Sequence, residues 1–299
     1  MIILSKRIQS SIIGKLQRAY YRRLSTTRKY LEVYSTYVLG YHVNIDNPKT
    51  FNEKMAWLKL YDHNPIYHQM VDKYAVKEIV AKKIGAGYVA KPLMIFDSYK
   101  EFDFEKLPAP PFVIKSVHYG TPIVIRQALD INQKQIIQKL KEQSLRSGYK
   151  TNLEWGYKDV KPRVLVEEYL SDGSEDNILN DYKFWCFNGK VRCMYFTCKF
   201  KEIYENFYDR NFNVLDIDHG FPRHKPEFEK PKTYDEMLAI AEKLSEGIPF
   251  VRIDLYSCGD KIYFGEYTFF DWGGMHAFRT HEMDEEIGSW LTLPEEKRE

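Results

Sequence analysis

The chain has 299 residues, 44% of them hydrophobic and 29% charged, a balance that supports a folded core in one or two lobes and excludes disorder as the default. A formal net charge of +2 gives no footing for nucleic-acid binding. Apolar runs fall short of the roughly 18 residues that a membrane span needs, and Cys186, Cys193, Cys198 and Cys258 lack the close pairs of a zinc site or a disulfide framework.

The opening MIILSK is too short for the apolar core of a secretion signal, so reduced thiols and a cytoplasmic location are expected. No acidic residue precedes Glu32, whereas Lys6, Arg7, Lys15, Arg18, Arg22, Arg23, Arg28 and Lys29 do. Ile8, Ile12, Leu16, Tyr20 and Leu24 recur every four residues, the spacing of an amphipathic helix. Such a helix either makes peripheral contact with an anionic membrane face or docks on the body with its basic side solvated. Further helices are expected over 52–61 and 67–83, the second closed by Gly85 and Gly87. Pro108, Pro110 and Pro111 punctuate the chain before a strand over 112–115. A strand over 123–126, a helix over 132–144 and a buried strand over 164–170 follow. Strands over 182–187 and 191–197 form a hairpin through Asn188-Gly189. Residues 216–231 read as loop and 234–244 as helix, and a last hairpin pairs 250–256 with 262–268. The pattern is α+β, with antiparallel hairpins flanked by helices.

The chemistry concentrates in that last hairpin. With Gly259-Asp260-Lys261 as its loop, Asp254 lies opposite Glu266, and opposed residues share a face with Cβ atoms roughly 5 Å apart. Two carboxylates so close repel unless a cation intervenes, and magnesium takes one or two carboxylates together with phosphate oxygens. The other reading is that Arg252 or a lysine neutralises the pair; a slip of one residue would put the two acids on opposite faces. Lys115 ends an apolar strand and Lys183 begins another, and Arg252 projects to the face of Asp254. Each cation alone is an ordinary snorkelling side chain. Together with the carboxylates they match the charge inventory of a nucleotide–magnesium site.

The motif order Phe-Val-Ile-Lys115, Val-Glu-Glu168-Tyr-Leu, Asp181-Tyr-Lys183-Phe, Val-Arg-Ile-Asp254 and Phe-Gly-Glu266 resembles that of ATP-grasp proteins. The stretches PKTFNEKMAWLKLYDHNP, VDKYAVKEIV, DYKFWCFNGKV and PFVRIDLYSCGDKIYFGEYTF resemble more closely the TupA-like ATP-grasp family, linked to teichuronopeptide and surface-polysaccharide synthesis. The resemblance covers roughly 45–293. It implies two lobes with antiparallel sheets flanked by helices, holding ATP and Mg2+ between them. Residues 1–45 would be a basic helical extension, 46–110 a helical subdomain, 111–166 the small lobe, and 167–299 the large lobe with the metal site. By the same resemblance Lys73, Lys115 and Lys183 would hold the phosphates. The backbone of Glu167, Glu168, Tyr169 and Leu170 would read the adenine edge, with a carboxylate taking its exocyclic amine. Asp254 and Glu266 would hold magnesium, and Arg252 would face the transferred phosphoryl group. The implied activity is a carboxylate–amine ligase acting on a small-molecule or polysaccharide-precursor substrate.

One stretch departs from the family pattern. Where a glycine-rich loop would cover the phosphates, the sequence reads His118-Tyr119-Gly120-Thr121-Pro122, in which the tyrosine blocks close approach and the proline has no N–H. This motivates a rival reading as a non-catalytic ATP-grasp module. A second rival is a glycosyltransferase, motivated by the DxD spacing of Asp216 and Asp218. His219 and His224 fit no strong metal template, and Trp272-Gly273-Gly274-Met275-His276 is either a substrate-side loop or a plain turn.

Overall fold

The structure, a computed structural model, describes residues 26–171, 179–199, 203–218 and 220–295. The amphipathic helix expected over 8–24 and His219 lie outside these. No helix among the described residues is long and apolar enough to cross a membrane.

Helix α1 (Thr27–Leu39) starts where Thr26 Oγ1 accepts from Lys29 N and stops at Gly40, whose φ of 81° is a left-handed cap. Its Tyr30, Leu31, Tyr34 and Val38 bury against Val43, Ile45 and Ala56. Helix α2 (Phe51–Tyr61) opens on a reciprocal capping box between Thr50 and Glu53. The helix expected over 67–83 is instead two, α3 (Tyr67–Val71) and α4 (Val76–Ile84). The Asp72 carboxylate causes the break by accepting from Tyr74 N (2.8 Å) and Ala75 N (3.0 Å), while Lys73 N leaves the helix to donate to Val117 O (2.9 Å).

Strands β1 (Pro92–Phe96), β2 (Phe112–Ser116), β3 (Ile123–Ile125) and β4 (Val164–Glu168) form an antiparallel sheet in the order β1-β4-β2-β3. This sheet reaches from 92 to 168, so divisions at 110 and 166 would cut through it. Helix α5 (Gln133–Ser144) buries Ile136 and Leu140 against Phe112, Ile114, Ile125 and Val166. The short helix α6 (Gly148–Asn152) follows.

The second sheet has six strands: β5 (Asn180–Phe187), β6 (Lys190–Lys199), β7 (Ile203–Tyr208), β8 (Val214–Leu215), β9 (Phe250–Cys258) and β10 (Lys261–Thr268), in the order β10-β9-β5-β6-β7-β8. Asn188 and Gly189 take φ of 48° and 77°, the left-handed pair that a tight hairpin needs. Helix α7 (Tyr234–Ser245) covers this sheet with Met237, Ile240, Ala241 and Leu244, and α8 (His281–Ser289) closes the fold. Asp284 on α8 accepts from Asn52 Nδ2 (2.7 Å) and Asn52 N (3.1 Å), tying the end of the chain to α2.

The last hairpin corrects the expected loop. Lys261 pairs with Cys258, so the turn is Gly259-Asp260 alone, and that register would leave Glu266 one place out of step. A bulge between Phe264 and Glu266 restores the pairing of Glu266 with Asp254. Glycine at 265 allows it: a Cβ there would meet Asp254 O at 3.0 Å and the Tyr256 ring at 3.1 Å.

Candidate active site

Three neighbouring strands of the large sheet bring the charged side chains to one face. Lys183 on β5 pairs with Asp254 on β9, which pairs with Glu266 on β10. Asp181 and Arg252 stand two places from Lys183 and Asp254, so they join this face.

Arg252 lies at its centre. Its Nε and Nη2 donate to the two carboxylate oxygens of Asp254 at 2.6 and 2.7 Å, and Nη2 also reaches Glu266 Oε1 at 3.2 Å. Nη1 donates to Asp271 Oδ1 (2.5 Å) and to the Tyr195 hydroxyl (3.1 Å). Asp271 further accepts from Trp185 Nε1 (2.8 Å), the Tyr195 hydroxyl (2.9 Å) and Trp272 N (3.0 Å). Breaking a buried ion pair by removing one partner typically costs ~3–5 kcal/mol, so this network constrains its own geometry.

Burial pushes the Asp254 carboxyl up to about 7, against the pull of Arg252. Burial acts on Glu266 in the same direction, yet Lys73 and Arg252 hold it below the ordinary carboxylate range. Lys73 Nζ is 3.7 Å from Glu266 Oε2, a reach made possible by the break between α3 and α4. Lys183 is ion-paired with Asp181, whose second oxygen, Oδ1, is buried without a hydrogen-bond partner.

The small sheet supplies a second cluster. Glu167 is held between Lys115 and Lys77, the latter at 2.8 Å. These lysines outweigh the burial that would raise the Glu167 carboxyl and hold it low. Glu168 ends β4, its carboxylate accepting from Lys91 N at 2.7 Å. Tyr169 and Leu170 lie beyond the strand, which is two residues shorter than expected because its last partners are Phe112 and Lys91.

The loop after β2 is pinned from behind. Gln143 Nε2 donates to Thr121 O at 2.8 Å, and a side chain at Gly120 would strike Gln143 at 2.5 Å. His118 is buried between Ser116 Oγ (3.0 Å) and Arg146 O (2.9 Å). Glu154 accepts from Asn152 Nδ2 at 3.0 Å and is near enough to Glu266 and Asp271 to feel their charge. Burial raises its carboxyl, Lys59 opposes that shift, and Glu266 and Asp271 add to it. Neither Asp271 nor Glu154 carries a motif in the sequence. The one available signal for Asp271 is its place three residues after the end of β10 at Thr268, before three successive left-handed residues, Trp272, Gly273 and Gly274.

Asp216 and Asp218 do not converge. Arg279 Nη2 holds Asp216 at 2.7 Å, and Asp218 accepts from Gly220 N at 2.7 Å. His224 Nδ1 is bonded to Pro226 O at 2.8 Å. Among the described residues no group of three or more His, Cys, Asp or Glu side chains is arranged for a metal. A cation here would therefore take Asp254 and Glu266 and complete its shell from phosphate and water, the habit of magnesium. The residues fit that role: the donors are hard oxygens, Asp254 and Glu266 are paired across neighbouring strands, and the orphaned Asp181 Oδ1 stands on the same face.

Several solved ligases show a distant likeness. The ATP-grasp ligase PsnB complexed with minimal precursor is 11% identical with a TM-score of 0.37, over 69% of this chain and 54% of that one. D-alanine–D-alanine ligase from Bacillus anthracis is 16% identical with a TM-score of 0.38, over 74% and 68%. L-amino acid ligase from Bacillus licheniformis is 12% identical with a TM-score of 0.38, over 67% and 43%. The chain thus spans about half the length of PsnB and less of the L-amino acid ligase. No curated protein matches. The TupA-like ATPgrasp family profile matches residues 53–292, from α2 past α8 and through both sheets, and the chain belongs to that family.

Proposed function

We propose that the chain is an ATP- and magnesium-dependent carboxylate–amine ligase. The observation that carries this reading is the convergence of Lys183, Arg252, Asp254 and Glu266 on one face of β5, β9 and β10, with Lys73 reaching Glu266 from the α3–α4 break. Family membership supports the nucleotide.

A carboxylate oxygen of the substrate attacks the γ-phosphorus of ATP, the bridging P–O bond breaks, and ADP leaves. An amine then attacks the acyl carbon, inorganic phosphate leaves, and the nitrogen gives up a proton as the amide forms. No protein nucleophile is needed, so positioning and charge neutralisation supply the rate. Lys115, Lys183 and Lys73 hold phosphate oxygens, and the backbone of Glu167 to Leu170 receives the adenine. Arg252 faces the phosphoryl group in transfer. Asp254 and Glu266 hold magnesium, which when bound neutralises charge on the phosphates. The acid and amine belong to a sugar-acid or amino-acid unit of a surface-polysaccharide precursor, a reading supported by the family resemblance alone. The reaction takes place in the cytoplasm, with the basic segment before residue 26 as a peripheral membrane contact.

The test is ADP release with candidate acids and amines, alongside nucleotide-sugar turnover. Glu266→Gln is expected to lower ADP release by about 100-fold or more, the scale of losing one preorganised charge group. An unchanged rate would remove Glu266 from the mechanism, and nucleotide-sugar turnover that depends on Asp216 would replace the ligase by a glycosyltransferase.

A further inference from the structure

Arg252 presents two unlike sides. Nε and Nη2 form a fork on Asp254 and touch Glu266, while Nη1 points the other way, to Asp271 and the Tyr195 hydroxyl. Asp254 and Asp271 are equally shielded, at 4% and 3% exposed, while Glu266 is 36% exposed and has Lys73 beside it. The two buried acids differ in their surroundings. Asp254 pairs with Lys183 and Glu266 across the strands, so a cation entering there replaces the guanidinium, whereas Asp271 is held behind Arg252 by Trp185, Tyr195 and Trp272. Stripping the guanidinium from a carboxylate that water does not reach and no incoming cation replaces is the costlier separation.

We infer that Asp271 is a positioning residue: it anchors Arg252 through Nη1, so that only the Nε/Nη2 edge changes partners when ligands enter the site. Trp185 Nε1, the Tyr195 hydroxyl and Trp272 N fix Asp271 in turn. Trp185 is fully buried in the core and Tyr195 nearly so. The anchor is therefore part of the large sheet's interior, while the exchanging edge faces the site. When a divalent cation takes Asp254 and Glu266, the freed edge offers two parallel donors to an anionic oxygen of the reacting group, and the guanidinium does not swing away. This inference rests on the ligase reading for what that oxygen is, but the anchoring itself does not.

The experiment has two arms. In the first, the side-chain Nη1–H resonance of Arg252, the group that donates to Asp271 and Tyr195, is assigned by its loss in Arg252→Lys and followed in the full chain without ligand. It is expected to be sharp and protected from solvent exchange in the wild type, and broadened or lost in Asp271→Asn. A resonance that is unmoved in Asp271→Asn overturns the anchor. In the second arm, Asp271→Asn is expected to lower kcat about 100-fold, the scale of a misplaced catalytic group, with KM for ATP within about 3-fold. In the Arg252→Lys background the same substitution should cost less than about 3-fold, because residues that act as a unit are not additive. An equal loss in both backgrounds means that Asp271 does not act through Arg252. Should Asp271→Asn fail to fold, Tyr195→Phe keeps the ring and removes one bond from each partner. It should broaden the same resonance, and an unchanged peak again overturns the anchor. If the wild type releases no ADP with any acid and amine, the ligase reading falls and the resonance alone decides Asp271.

Discussion

The two sheets carry charge clusters of opposite imbalance. At the small sheet one carboxylate, Glu167, serves two lysines, Lys77 and Lys115. At the large sheet one guanidinium, Arg252, serves three carboxylates, Asp254, Glu266 and Asp271. Burial acts on both, with opposite outcomes. It is outweighed at Glu167, which stays low, and it prevails at Asp254, which is pushed up to about 7. The first cluster is short of anions; the second, with Lys73 on Glu266 and Lys183 on Asp181 included, sets three cations against four carboxylates and is short of one cation. A ligand that brings phosphate oxygens to one and a divalent cation to the other satisfies both, and magnesium-bound ATP does so. The lesson lies in the arithmetic of each cluster: neither sheet alone points to a nucleotide, and the proposed function rests on the complement of the two.

That comparison breaks most sharply if each cluster is weakened in turn. Lys115→Met should weaken binding of a magnesium-bound non-hydrolysable ATP analogue by about 10- to 100-fold, the loss of one hydrogen bond to a charged group, and leave the magnesium dependence nearly unchanged. Asp254→Asn should do the reverse, raising the magnesium concentration needed for half-maximal binding by a similar factor. Calorimetric titrations at several fixed magnesium concentrations separate the two constants. If both variants move the same constant, the division of labour between the sheets is wrong.

How far the sequence foretold this site depends on the distance over which its groups cooperate. The Asn188-Gly189 turn is local chemistry and was legible outright. The pairing of Glu266 with Asp254 was also legible, but through a compensation of errors: a three-residue loop was expected where a two-residue turn and a bulge give the same partners. Strand alternation exposes which residues share a face, yet it is blind to a bulge whose cause is contact with the neighbouring strand. The break at Asp72 had a signal, an aspartate able to accept from the next backbone amides, but the helical spacing of Tyr67, Met70 and Val71 with Val76 and Val80 masked it. Asp271 and Glu154 could not be read at all. Trp185 and Arg252 stand 86 and 19 residues from Asp271, on β5 and β9, and Lys59, which acts on Glu154, lies on α2, so only the fold brings these groups together.

The bulge itself gives a sharper and smaller test. Gly265→Ala places a methyl against Asp254 O and the Tyr256 ring, at 3.0 and 3.1 Å. Overpacking of this kind costs ~1–3 kcal/mol, and the strain falls between β9 and β10, the two strands that carry Asp254 and Glu266. Gly259→Ala, in the turn of the same hairpin, meets nothing within 4 Å and suffers only from its φ of +63°, a penalty of ~1 kcal/mol or a little more. Urea denaturation should show both variants destabilised, whereas ADP release should fall in Gly265→Ala alone. Equal activity in the two variants would make the bulge a structural detail without bearing on the pair.

The smallest effect concerns the loop after β2, whose Val117 O accepts from Lys73 N. Burial lowers the His118 imidazole from its ordinary value of 6.5, Lys73 adds to this, and the Arg146 carbonyl and Asp72 oppose it. In the unfolded chain the ring takes a proton as the pH falls below about 6.5, while the folded chain resists until a lower pH. Its contribution to stability is therefore complete above 6.5 and is lost as the pH falls through the lowered folded value. Asp254 acts in the opposite sense, since its raised carboxyl favours the folded state as the pH drops. The wild type alone thus mixes two opposed slopes, and the difference between wild type and His118→Gln isolates the imidazole. Urea midpoints at pH 7.5 and 5.5 should show the wild type losing more stability than the variant over that interval. Parallel losses would mean that His118 is solvated in the folded chain and that the loop is held by Gln143 alone.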